Sequence, residues 1–149
     1  VSYVYNLEYT DVTEENCSEL SDATEFFWVA GNPVVSDAEG LELERSLAVA
    51  DLIEVNLWVL VLLAIEIVVR LQGKGITGGV VIRTATYAQF IIYAGILSIG
   101  VYWASLGHWL YLWDEFVWIM GFAAIDLNLS EWRDEMIEEK AAAVAGAEI

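Results

Sequence analysis

Six residues set within long apolar stretches are of types that can do chemistry: Glu54, Asn56, Glu66, Arg70, Glu115 and Asp126. Charged groups are costly in a hydrocarbon setting, so they pair, bond across helices, or line a path for protons or cations. Glu66 and Arg70 stand four apart with the acid first, the favourable order for a helical ion pair. Arg70 can also extend its head group toward water from a helix end. A structural pair is the expected reading, and a carboxylate on an ion or proton path is the alternative. Glu54 and Asn56, with Asp51 one turn earlier, fall in the outer third of the same stretch. Their expected role is hydrogen bonding to a neighbouring helix or subunit. At about 100° per residue, Glu115, Asp126 and Arg133 lie close to one helix face, with Phe122 between the acids. The expected arrangement puts Asp114 and Glu115 at an outer interface and Asp126 at the inner end beside Arg133. The alternative is a pore-lining face between subunits, constricted at Phe122.

Other chemistries find no support. Ser, His and Asp occur without an elbow motif or any arrangement that singles out three of them, so no nucleophile is expected. One His and one Cys, far apart, cannot form a zinc site, and bis-His haem ligation is impossible within one chain. No cofactor is expected. His108, beside Trp109, reads as an interfacial residue, and its ordinary pKa makes pH sensing the functional alternative. The run from Gly73 to Gly79 lacks P-loop spacing and does not follow a strand; it reads as a flexible turn. Cys17 is the single cysteine, which excludes an intrachain disulfide.

The elements that must position these residues are helices. Apolar segments at Leu47–Leu71, Ala85–Gly107 and Trp109–Leu129 each approach the roughly 20 residues that span a bilayer core. The expected fold is an all-α integral membrane protein with two to three transmembrane helices. A long first helix is followed by a helical hairpin, and a small extramembrane segment precedes them. The expected organisation is an acidic segment over 1–35, a helical bundle over 36–129 and an acidic helix and tail over 130–149. The spans are drawn at about 47–71, 84–105 and 109–129. The third is the weakest, because its uninterrupted apolar run is only Phe116–Ile125. Val1–Tyr9 alternates as a short strand does, and 14–25 reads as a short helix or loop. Phe26–Ala30 is an apolar patch suited to the bundle or the headgroup layer, and it ends in a turn at Gly31-Asn-Pro33. Ser36-Asp-Ala-Glu39 reads as a capping box opening the first helix, which can run to Gly73. Gly95, Ser98 and Gly100 on the second span allow close helix packing. Trp103, Trp109 and Trp113 flank the tight turn at Gly107-His108 as interfacial anchors. The tail from Ala141 is expected to fray.

Three bases, Arg70, Lys74 and Arg83, bracket the first loop, and it contains no acid. The loop over 70–83 is therefore expected inside and the N-terminus outside. Residues 1–25 are polar and acidic rather than a secretory leader, so the first span is expected to carry the N-terminus across.

Charge sets the remaining bounds. The 149 residues include 23 acids and 6 bases, for a net charge of −17, yet 58 % are apolar and the mean hydropathy is +0.53. Residues 1–51 hold 12 acids against one base, Arg45. Without a basic patch, nucleic acid is not an expected partner. Acidic ends flanking an apolar middle, with only two lysines, suit very high salt, where ions screen the repulsion between carboxylates. In composition the chain resembles haloarchaeal proteins and those of viruses infecting such cells. A non-enzymatic structural or assembly protein of a cell or virion membrane is the expected function. Its expected partners are the lipid bilayer and either its own copies or other membrane or capsid subunits. A small oligomeric proton or cation channel is the alternative.

Overall fold

A computed structural model describes residues 1–29 and 33–147. It is mostly helical, with three helices following a small N-terminal sheet: β1 (Ser2–Tyr5), β2 (Glu8–Asp11), β3 (Phe27–Val29), β4 (Val34–Ser36), α1 (Ala38–Gly73), α2 (Val80–Ser105) and α3 (Trp109–Ala147). The sheet is a departure from the all-α expectation. The chain divides into two compact units, Val1–Ile53 and Glu54–Ile149.

In the first unit the strand expected over Val1–Tyr9 is a hairpin, β1 against β2, with Tyr5 opposite Glu8. Its two turn residues, Asn6 and Leu7, both have positive φ, 54° and 64°. A two-residue hairpin turn whose twist matches its strands needs this conformation. Asn adopts it readily; for a bulky aliphatic side chain it costs roughly 1–2 kcal/mol. That explains why the stretch reads as one continuous strand. The Leu7 N–H is held by Glu44 Oε1 of α1 at 2.8 Å. β4 pairs parallel with β1 and antiparallel with β3, giving the order β2-β1-β4-β3. The stretch over 14–19 is a set of turns, fixed where the Thr13 N–H donates to Asn16 Oδ1 at 2.8 Å. Within the apolar patch, Phe27–Val29 form edge strand β3, with Trp28 67 % exposed; Ala30 lies outside the described residues. Gly31 and Asn32, where a turn is expected, lie outside the described residues; Pro33 sits in a turn.

The cap of α1 lies one residue later than the expected box. Ser36 closes β4, is fully buried, and its hydroxyl donates to the Val4 carbonyl at 2.7 Å. Asp37 is the capping residue: its Oδ1 accepts the Gly40 N–H at 2.8 Å. A second carboxylate oxygen, Oδ2, accepts the Ser21 hydroxyl at 2.6 Å and the Tyr3 hydroxyl at 2.9 Å. One side chain thus joins β1, the turn segment and α1. The bonds from Ser21 and the Gly40 amide hold the Asp37 carboxyl below its usual range. Burial, and then the hydrogen bond to Asp37 and the Asp37 charge, push the Tyr3 hydroxyl up to about 12. Gly40 has no room for a Cβ, which would meet Ser36 Oγ and the Tyr5 ring.

In the second unit the inward positions recur at 3.5-residue spacing. On α1 they are Glu54, Leu57, Val61, Val68 and Gln72; on α2, Ile82, Gln89, Ile96, Gly100 and Trp103. This is the seam of helices packed side by side. Both α1 and α2 end in the same six-residue closure. At the end of α1, Ile76 N–H donates to Leu71 O and Gly75 N–H to Gln72 O, with Gly75 at φ 76°. In α2 the corresponding donors are His108 to Trp103 and Gly107 to Ala104, with Gly107 at φ 95°. Helix α2 begins at Val80, ahead of the expected span. Helix α3 continues to Ala147 instead of fraying from Ala141, and at 39 residues it is roughly 58 Å long.

Two helices, α1 and α2, are long and apolar enough to cross a membrane. Only 11 % and 17 % of their most apolar 18-residue windows are buried within the chain. A soluble protein's core helix would be mostly covered.

Candidate functional site

The polar residues of the second unit gather at two places between the helices. At the first, α1 supplies Glu54 and Trp58, and α3 supplies Asp114, Glu115, Trp118 and Phe122. The cavity between them measures about 310 Å³. Trp103, from α2, donates its indole N–H to Glu54 Oε2 at 3.1 Å. Glu115 is only 4 % exposed and lies beside both Glu54 and the Trp58 indole. Its Oε2 has no hydrogen-bond partner among the described residues.

At the second place Asp126 receives two donors from α2. Gln89 Nε2 reaches Oδ1 at 2.8 Å, and the Tyr93 hydroxyl reaches Oδ2 at 2.9 Å. These groups line a cavity of about 400 Å³ together with Ser130 and Arg133. Arg133 donates to Ser130 Oγ at 3.0 Å rather than pairing with Asp126. Gln72, fully buried, donates from Nε2 to the Leu129 carbonyl at 3.0 Å and leaves its Oε1 without a partner.

The expected polar seam on α3 is therefore present but divided. Phe122 packs against Trp58, ring centroids 5.3 Å apart, between Glu115 and Asp126. Each acid turns toward a different cluster on its own chain. Sequence reasoning paired Glu66 with Arg70, set Asp126 beside Arg133, gave Glu54 a bond to a neighbouring helix or subunit, and allowed partner chains to satisfy Glu54, Glu66 or Asp126. Here Arg70 bonds Glu66, Trp103 of the neighbouring α2 bonds Glu54, and Gln89 and Tyr93, not Arg133, bond Asp126.

Glu66 and Arg70 form the ion pair of a helix surface, with side chains 54 % and 75 % exposed. Asn56 lies on the exposed side of α1. Trp109 and Trp113 are 67 % and 64 % exposed. Trp103, grouped with them by sequence, is turned inward: it is buried and stacks on Tyr111 at 4.9 Å. His108 makes edge contacts with both rings. Of the small residues, Gly95 faces Leu57 of α1 and Gly100 faces Leu112 of α3. Ser98 is exposed and bonds back to the Ala94 carbonyl.

Sequence reasoning missed Gln72, Gln89, Tyr93, Trp58 and Trp118. A signal existed for the second and third. Gln89 and Tyr93 are polar-capable residues four apart in an apolar span, a spacing that puts both on one face.

Chemically, these contacts join carboxylates to neutral donors across helices. Among the described residues no group of three or more His, Cys, Asp or Glu is placed to hold a metal ion. No protein-family model, curated protein or solved structure matches the chain.

Proposed function

We propose that the chain is a non-enzymatic structural or assembly protein of a membrane, working in high salt. It acts as a subunit of a larger membrane complex or as a virion membrane protein. The observation that carries the reading is the exposure of α1 and α2: apolar windows so little covered by their own chain need lipid or other helices. Helix α3 is taken as the third membrane helix. Its inward positions include Glu115, Asp126 and Arg133, while Leu110, Phe116, Val117, Trp118, Met120 and Leu127 are exposed. That is the reverse of a soluble amphipathic helix. The sheet lies outside and the Arg70–Arg83 loop inside. Copies of the chain, or other subunits, assemble against the exposed helix faces.

The exposed, single Cys17 provides the test. In intact cells making the full chain, a membrane-impermeant maleimide should label Cys17 at once. In a Cys17→Ser, Thr77→Cys variant it should label only after permeabilisation. Native mass spectrometry from mild detergent should then show multiples of the chain or a complex with other subunits. Recovery of the chain in the soluble fraction would sink the membrane reading. Only monomers from native membrane would sink the assembly role.

A further inference from the structure

We propose, resting on the membrane reading, that the groove between α1 and α2 at the inner end of the bundle holds one anionic phospholipid, its acyl chain along the groove and its phosphate on Lys74 and Arg83. The groove measures about 520 Å³, and its walls are drawn from residues 60–67 of α1 and 80–92 of α2. Leu63, Ile67 and Val80 stand exposed along it. The small side chains of Ala64, Ala85 and Ala88 leave the room between the walls. No acid lines it, and α3 contributes nothing to it.

Length selects a lipid tail over a transmembrane helix. From Val80 to Ile92 the α2 wall is roughly 18 Å long at about 1.5 Å per residue, little more than half of the roughly 30 Å core. One turn beyond Ile92 the groove closes: a Cβ on Gly95 would sit 3.3 Å from Leu57 Cδ1 of α1. A partner helix would run the full depth of the bilayer. An acyl chain entering from one leaflet stops near the middle, as the groove does.

Charge selects the head group. From Ile67 to Trp113 the sequence holds three bases, Arg70, Lys74 and Arg83, and no acid, in a chain with 23 acids. Arg70 is taken by Glu66. Lys74 and Arg83 are exposed and meet no carboxylate among the described residues. Lys74, whose N–H still bonds the Arg70 carbonyl, continues the line of Ile67 two turns on. Arg83 stands one turn after Val80, at the same end. The first turn of α2 has no side-chain cap at Gly79 and no acid, so its partial positive charge adds to that of the two bases. Lys and Arg beside an apolar surface at the inner interface attract anionic lipid.

The experiment is electron spin resonance on the full chain in phosphatidylcholine bilayers carrying a trace of lipid spin-labelled near the end of one tail, in about 1 M potassium chloride. At that ionic strength diffuse attraction is screened within roughly 3 Å, so only a lipid in contact with the bases keeps a preference. Labelled phosphatidylglycerol should associate about fivefold more strongly than labelled phosphatidylcholine, equivalent to about 1 kcal/mol. The preference should disappear when Lys74→Gln and Arg83→Gln are combined, both at exposed positions that leave folding untouched. It should also disappear in Ala88→Phe, which fills the groove and keeps both bases. The site falls if the two lipids associate equally with the unaltered chain, as they would if a helix of another copy covered the groove. It falls too if the double variant keeps the preference, or if Ala88→Phe keeps it, because the bases would then act without the groove. No motionally restricted lipid at all would mean that the chain had not entered the bilayer, and would sink the membrane reading together with the site.

Discussion

Replacing Asp37 by Ala should loosen the N-terminal unit without touching the helices of the second. The carboxylate caps α1 through the Gly40 amide and accepts the hydroxyls of Ser21 and Tyr3. Losing the cap costs about 1 kcal/mol. Tyr3 is only 7 % exposed, so its hydroxyl loses its acceptor out of reach of water, at about 1–3 kcal/mol. Ser21 is partly exposed and turns to solvent at little cost. The expected total is about 3 kcal/mol, close to a hundredfold in the local opening equilibrium. Asp37→Asn should cost about 1 kcal/mol: Asn still caps, and its amide can donate to Tyr3. Hydrogen exchange by mass spectrometry on the full chain should show faster amides in β1, β4 and the first turns of α1, with α2 and α3 unchanged. Acid should reproduce the effect. The folded Asp37 carboxyl lies below its ordinary value, so its contribution is complete above pH of about 4 and fades as pH falls through the folded pKa. Tyr3 gives the alkaline limit: raised to about 12, it stabilises below pH of about 10 and ceases to as pH rises through its folded value. Unchanged exchange in Asp37→Ala would refute the account. So would an Asp37→Asn variant as damaging as Ala, because charge alone would then be responsible.

Two further outcomes follow from the helix contacts. A Cβ on Gly100 would lie 3.1 Å from Leu112 Cδ1, with Leu112 Cα at 3.4 Å and Glu115 Cγ at 3.5 Å around it, so the Leu112 side chain must give by a few tenths of an ångström; Gly100→Ala should cost about 1 kcal/mol. At Gly95 the nearest atom is the tip of Leu57, at 3.3 Å, and Gly95→Ala should be near neutral; equal losses in detergent unfolding would contradict the close-approach argument. Asp126→Ala removes the acceptor for both Gln89 and Tyr93 and should cost about 1–2 kcal/mol, the range of interhelical bonds in membranes. A loss no larger than that of exposed Ser98→Ala would show the cluster to be idle.

The three helices were legible because their signals are local: apolar length, and a glycine near each end. The capping residue was misjudged by one position because Ser36 and Asp37 are equally good caps in isolation. Only the pairing of β4 with β1, which sends the Ser36 hydroxyl to Val4, decides between them. That pairing was illegible, since it joins segments more than thirty residues apart and the intervening hairpin turn carries a Leu where Gly is usual. In the second unit the positions of the acids could be read, but not their partners. Whether Asp126 meets Gln89 of its own chain or a group on another depends on the register between α2 and α3, which no single helix encodes.

Helix α3 shows why counting charges and locating them lead to different conclusions. Any 18-residue window of Trp109–Ala147 takes in at least three charged residues, so by composition it falls short of a spanning helix, unlike α1 and α2. The cost of a charge in lipid, however, depends on which way it faces. Glu115 and Asp126 face α1 and α2, where Trp58, Gln89 and Tyr93 meet them. The residues left on the outside between Trp109 and Leu127 are chiefly Trp, Leu, Phe, Val, Met and Ile. The same inward acids that disqualify α3 by composition are the ones that tie it to its neighbours. Between such helices packed surfaces supply little hydrophobic drive in lipid, and hydrogen bonds supply register. On the proposed membrane reading, the acids of α3 are the fasteners of the bundle: Asp126 holds α3 to α2 through Gln89 and Tyr93, and Glu115 holds it against Glu54 and Trp58 of α1.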